Sequence, residues 1–384
     1  LIQCDHMDKK IIAVGAAVVI IIAAIGGYIM VNNDADHYEY DPQKGWRSWD
    51  PVVGETKSAY FSITPLLLDG TEKLYNDIYG KTINFDEYKL SDVPDDFLSY
   101  DSLIVSNGTD EVIIKSTIRE KTDASGSKVI ETTVAKNPDK LLTTSGYAAT
   151  LYTLLEMKYG ADVAESMLWE RIYGLDKSSW TTASMETLYG LPIPSDIVKI
   201  ETTYSLIDNK EKYADYIGEA TKNNQTLVMM MAGALKNDYS DMGPFYDIVN
   251  ATNGAASPLF FFSNGVGDVL AAFEVIGAVY GLEKEAQEYI DEYRLTMYAI
   301  HEESKKANKN YTVYFESNSG TAAGTGTITS DVFDILCLEN INQEPQWKTI
   351  SEETIIEKKP SVILFYDTNT KSWDERLRVG VGQL

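Results

Sequence analysis

Three hydrophobic patterns succeed one another along this chain. The first is an unbroken apolar run, Ile11–Val31, which carries no charge. A helix of that length rises about 30 Å, enough to cross a hydrocarbon core. Lys9 and Lys10 on its short side place the body of the chain outside the cell. The run fits either a retained anchor or a signal cleaved near Ala23-Ala24. Leu1–His6 precede Met7 and read as sequence upstream of a natural start.

The second pattern is short β alternation. SAYFSI and SLIVS have strand character, and Asn107-Gly108 signals a turn. EVIIKSTIRE and SKVIETTVAK read as a hairpin around Ala124-Ser125-Gly126. In the third pattern buried strands alternate with helices. Leu141–Thr144, Thr226–Met231 and Pro258–Phe262 are the strands, and Tyr147–Tyr159 and Gly267–Tyr280 are helices. Such alternation predicts α/β layers around a mainly parallel sheet. Glu283–Asn308 is one long helical pattern, apolar at Ala286, Tyr289, Ile290, Tyr293, Met297 and Ile300. It would rise about 39 Å. Strand Tyr311–Phe315, the small-residue loop Glu316–Thr327, a helix over Thr329–Leu338, a short helix capped by Ser351, and strand Ser361–Tyr366 complete the order.

Composition narrows the function. The formal charge is −25, from 33 Lys and Arg against 58 Asp and Glu. That argues against nucleic acid, whose phosphates are bound by neutralising them. Cys4 and Cys337 form no disulfide framework. Beyond the tail only His37 and His301 are present, which speaks against a His-rich Zn or Mn site. No GxSxG, HExxH, Walker A loop or CxxC occurs, so no enzyme is expected.

The order of NPDKLLTTSGYAATLYTLLEMKYG, SPLFFFSNGVGDVLAAFEVIGAVYGLEKEAQEYIDEY and GTITSDVFDILCLENI resembles the solute-binding proteins of ABC importers for iron–siderophore complexes, haem and cobalamin. The resemblance runs from about Lys136 to Tyr366. It departs from the family between Gly160 and Gln225, and at Leu338-Glu339, where the family has a glycine pair. The family continues beyond Tyr366 with another strand and terminal helices, so the second lobe is expected to be incomplete.

The fold so implied is α/β: two lobes with mainly parallel sheets joined by one long backbone helix, preceded by a transmembrane helix. The corresponding segments are 1–33 tail and anchor or signal, 34–57 linker, 58–135 β-rich lead-in, 136–282 first lobe, 283–309 connecting helix and 310–384 second lobe. The implied activity is capture of a metal chelate between the lobes and its delivery to an ABC permease. No resident cofactor is expected; the ligand would be an iron or cobalt chelate. The alternative is a membrane-anchored surface or adhesion protein on a degenerate version of the fold.

Ligands of open α/β sheets lie beyond the carboxyl ends of the strands. That rule selects Ser145 and Tyr147 after the first strand, Asn264 in the Ser263–Gly267 turn, and Ser317, Asn318 and Ser319 in the hydroxyl-rich loop. The resemblance adds Trp347 as a ligand contact and Glu353 as a carboxylate docking on a permease arginine. Glu211 is taken as the first-lobe counterpart of Glu353.

Overall fold

The computed structural model describes residues 30–31, 66–120, 128–177, 185–186, 190–232, 234–235, 242–261, 265–307, 310–316 and 321–365. The linker 34–57, SAYFSI, the hairpin tip 124–126 and nearly all of Ile11–Val31 lie outside them. Met30–Val31, the end of that apolar run, is a two-residue strand (β1) rather than helix. An apolar run can serve a buried strand as readily as a helix, and pairing decides between them. Among the described residues no helix is long and apolar enough to cross a membrane.

The chain forms two compact units. Among the described residues the first comprises Asp95–Tyr293, and the second unites β1 and Leu66–Pro94 with the chain from Arg294 onward.

In the first unit, β2 (Ile104–Asn107), β3 (Glu111–Glu120) and β4 (Lys128–Ala135) are antiparallel. The expected hairpin is therefore present, in register from Glu111↔Ala135 to Ile118↔Lys128. Next come β5 (Lys140–Thr143), helices α2 (Ser145–Tyr159) and α3 (Ala161–Arg171), then β6 (Ile172–Asp176) and β7 (Val198–Ile200). Helix α4 (Lys210–Ala220) leads into β8 (Leu227–Ala232) and β9 (Ala234–Leu235), the latter beside β3. Helix α5 (Gly243–Asn250), β10 (Ala256–Phe261) and α6 (Val266–Tyr280) follow.

The sheet order is β10-β8-β5-β6-β7, parallel throughout. β5, β8 and β10 are buried along nearly their whole length, as strands of a parallel sheet covered on both sides are. The hairpin is fastened to the β10 edge: Ser257 Oγ donates to the Thr133 carbonyl at 2.8 Å, and Thr132 Oγ1 to that of Pro258 at 3.1 Å.

Asp139 ties the entries of β5 and β8. Its Oδ2 accepts from the Thr226 amide at 2.8 Å and from Thr226 Oγ1 at 3.0 Å. These bonds hold the carboxyl below its ordinary value of 3.8. A depressed carboxyl contributes stability above its unfolded-state value and loses it as pH falls through the folded value. Urea melts between about pH 5 and pH 3 should therefore show a shallower stability loss in Asp139→Asn than in the parent. Equal slopes would remove Asp139 from the acid transition. The effect is small because the side chain is exposed.

In the second unit β1 is followed by α1 (Leu66–Tyr79), a helix within the stretch expected to be β-rich. Asp69-Gly70 interrupts its pattern in the sequence, yet Leu74, Tyr75, Ile78 and Tyr79 are buried along one face. Tyr79 Oη donates to the Leu336 carbonyl at 2.6 Å, and its ring stacks on Tyr311 with centroids 6.0 Å apart. Leu66–Pro94 thus packs with residues far along the chain, and the lead-in is divided between the units. Helix α7 (Glu283–Ala307) is continuous, and the division between units falls within it, after Tyr293.

The second sheet is mixed, whereas a mainly parallel one was expected. Its order is β1-β15-β11-β12-β14, with β13 alongside β11. β11 (Thr312–Glu316), β13 (Glu339–Asn340) and β15 (Val362–Phe365) are parallel. β12 (Ala322–Ala323) and β14 (Trp347–Lys348) form an antiparallel ribbon that reverses the direction. Strands of two residues are too short to leave a period in the sequence. Helix α8 (Ile328–Ile335) starts where Thr327 Oγ1 accepts from the Ser330 amide, and α9 (Glu352–Lys358) where Ser351 Oγ accepts from the Thr354 amide, each at 3.2 Å.

Candidate functional site

In the first unit the chain passes from β5 outward to β6 and β7, then returns to β8 on the other flank of β5. This reversal is a topological switch point, and its crevice opens at the carboxyl ends of β5 and β8. Thr143 ends β5 fully buried, with an Oγ1 that has no hydrogen-bond partner among the described residues. Ser145, the first residue of α2, is also buried.

Tyr147, expected to face ligand, is only 1% exposed. Its ring lies 4.9 Å from that of Phe261, tilted by 45°. Burial raises the phenol well above its ordinary range, and the nearby Asp268 charge adds to the rise. The ring is therefore core packing beneath the crevice. Asn264 lies outside the described residues. Immediately after it, Asp268 Oδ2 accepts from the Gly265 amide at 3.2 Å and shapes the start of α6.

A contribution the sequence did not disclose comes from the lead-in. A Cβ at Gly267 would stand 3.3 Å from both the Ser99 carbonyl oxygen and Tyr100 Cβ. Residues 99–100 thus press on the first turn of α6, on the side where the parallel strands end. Gly267, which the sequence places at the turn into this helix, makes room for them. Along the same edge, Glu201 follows β7 and pairs with Lys177 at 2.5 Å and with Lys212. Those two partners hold its carboxyl below the usual range. Glu211 stands exposed in the first turn of α4.

In the second unit, Phe315 and Glu316 end β11, and Tyr314 Oη donates to Glu316 Oε2 at 2.7 Å. Ser317, Asn318 and Ser319 fall outside the described residues. Trp347 on β14 is 41% exposed, with its ring 5.8 Å from buried Phe315. An indole resting on the core while showing a large part of its surface is a ready platform for a flat apolar ligand. Glu353 is exposed in the first turn of α9. A hydrogen bond from its own backbone amide and then one from the Ser351 hydroxyl hold its carboxyl below the usual range. It is therefore an ionised, solvated carboxylate at neutral pH. Among the described residues no group of three or more His, Cys, Asp or Glu gathers as a metal site.

The family model described as "Periplasmic binding protein" matches residues 246–378, from within α5 to beyond β15. The resemblance read from the order of segments is thus matched over about a third of the chain, which holds α6, α7 and β11 to β15. Three solved structures are similar at low identity. A petrobactin-binding protein from Bacillus subtilis is 15% identical, covering 70% of this chain and 85% of that one, with a TM-score of 0.46. A periplasmic heme-binding protein from Pseudomonas aeruginosa is 15% identical over 64% of this chain and 78% of that one, with a TM-score of 0.43. A periplasmic solute-binding protein from Staphylococcus epidermidis is 17% identical, with coverages of 64% and 84% and a TM-score of 0.41. No curated protein matches the chain.

Proposed function

We propose that this chain is the extracellular substrate-binding component of an ABC importer, and that its substrate is a metal chelate such as a ferric siderophore, haem or a corrinoid. The family match over residues 246–378 is the observation that carries this reading. The exposed Trp347 at the carboxyl end of β11 supports a broad conjugated ligand, because an indole face gains most from a flat partner. Ser145 and the residues around Asn264 would serve the first unit's face, and Ser317, Asn318 and Ser319 the second's. Helix α7 is read as the connecting helix, and the apolar run ahead of β1 as anchor or signal. Glu353 and Glu211 would pair with permease arginines, where a solvated carboxylate at a rim gains charge-assisted hydrogen bonds.

The test is a fluorescence titration of the folded chain with haemin, cobalamin and ferric siderophores. One of them should quench tryptophan emission saturably. In Trp347→Ala the affinity for it should fall roughly tenfold to a hundredfold, from lost stacking and lost apolar contact. A folded protein silent to the whole panel would sink the reading.

A further inference from the structure

Two buried asparagines of the second unit belong to neither ligand face. Asn342 is 1% exposed and Asn340 is 8% exposed. Burying an amide is costly unless its donors and acceptors are met, so a fully engaged one marks a position where direction matters. Asn342 Nδ2 donates to the Ala322 carbonyl at 3.1 Å, and its Oδ1 accepts from the Glu344 amide at 3.2 Å. Its backbone amide donates to Asn340 Oδ1 at 3.0 Å, while Asn340 Nδ2 donates to the Ala323 carbonyl at 2.8 Å. Ala322 and Ala323 are β12, paired with Lys348 and Trp347 of β14. One side chain therefore joins β12 to the segment that delivers Trp347. A two-residue strand has few ladder bonds of its own, and an apolar side chain at 342 would fill space without fixing a register.

We propose that Asn342 is a positioning residue for Trp347: it fixes the β12–β14 ribbon and so the place of the exposed indole over Phe315. The consequence for binding rests on Trp347 being a ligand contact; the consequence for the position of Trp347 does not.

The test uses the full chain labelled with fluorotryptophan, the Trp347 fluorine resonance being assigned by its absence in Trp347→Phe. In Asn342→Ala that resonance should shift and broaden, while the other tryptophan resonances and the circular dichroism stay unchanged. Asn342→Leu keeps about the same volume but loses the bonds to Ala322 and Glu344, and should move the resonance as well. Haemin affinity should drop roughly threefold to tenfold in Asn342→Ala, with no further drop when the change is added to Trp347→Ala. An unmoved Trp347 resonance in both variants overturns the proposal. Should the alanine variant not fold, the leucine variant decides by the same resonance. A parent protein silent to haemin, cobalamin and ferric siderophores would overturn the functional reading alone, since the resonance still reports on positioning.

Discussion

Gly324→Ala is expected to destabilise the second unit by about 3 kcal/mol or more, at the top of the range for overpacking. A Cβ at this position would stand 1.9 Å from the Glu344 carbonyl oxygen and 2.7 Å from that of Gln346. Both obstacles are backbone, so neither can rotate aside as a side chain would. Moving them means breaking the bond from the Gly324 amide to the Gln346 carbonyl and the bond from the Thr325 amide to the Glu344 carbonyl, each 2.9 Å. The Gly324 carbonyl is held as well, accepting from Thr327 Oγ1 at 2.8 Å. A strained ribbon would also carry Trp347 away from Phe315. Denaturant unfolding of parent and variant measures the loss, and a midpoint equal to the parent's would show that the ribbon opens without cost.

Tyr147→Ala should cost roughly 3–5 kcal/mol, the usual penalty for emptying a buried aromatic site. The ring is almost wholly enclosed and packs on Phe261, so truncation leaves a cavity where α2 meets β10. Tyr147→Phe keeps the ring and should cost under about 1.5 kcal/mol. The pair separates packing from recognition. With a packing role, Tyr147→Phe retains the parent's chelate affinity and only Tyr147→Ala is damaged, through stability. A large affinity loss in a fully stable Tyr147→Phe would instead mean that the hydroxyl reaches ligand.

Much of the fold was legible before any coordinates. The β3–β4 hairpin, α6, α7, α8 and the Ser351-capped α9 stand where period and capping chemistry put them. These elements are long enough to show a period, or are opened by a side chain that satisfies helix amides locally. The candidate site was legible mainly as loop positions. Trp347 is 41% exposed and Glu353 is exposed, as loop and first-turn positions allow.

The remainder depended on partners far away in sequence. Tyr147 has helical spacing and loop neighbours that fit a ligand contact, and its enclosure, with Phe261 of β10 against the ring, comes from residues far along the chain. Leu66–Tyr79 was obscured by Asp69-Gly70, and its membership of the second unit is set by contacts with Tyr311 and Leu336. Gly267 and Gly324 look like ordinary loop glycines until another backbone segment is seen pressing on each. Asn342 shows no periodicity at all; its importance lies in joining a local bond from the Glu344 amide to one with Ala322, which the ribbon brings close. The α/β class and the order of the longer elements could be read from the chain alone, since period, capping and charge act over short stretches. The mixed second sheet, the division of the lead-in and the burial of candidate side chains could not, since those depend on backbone and side-chain contacts between positions that no local pattern relates.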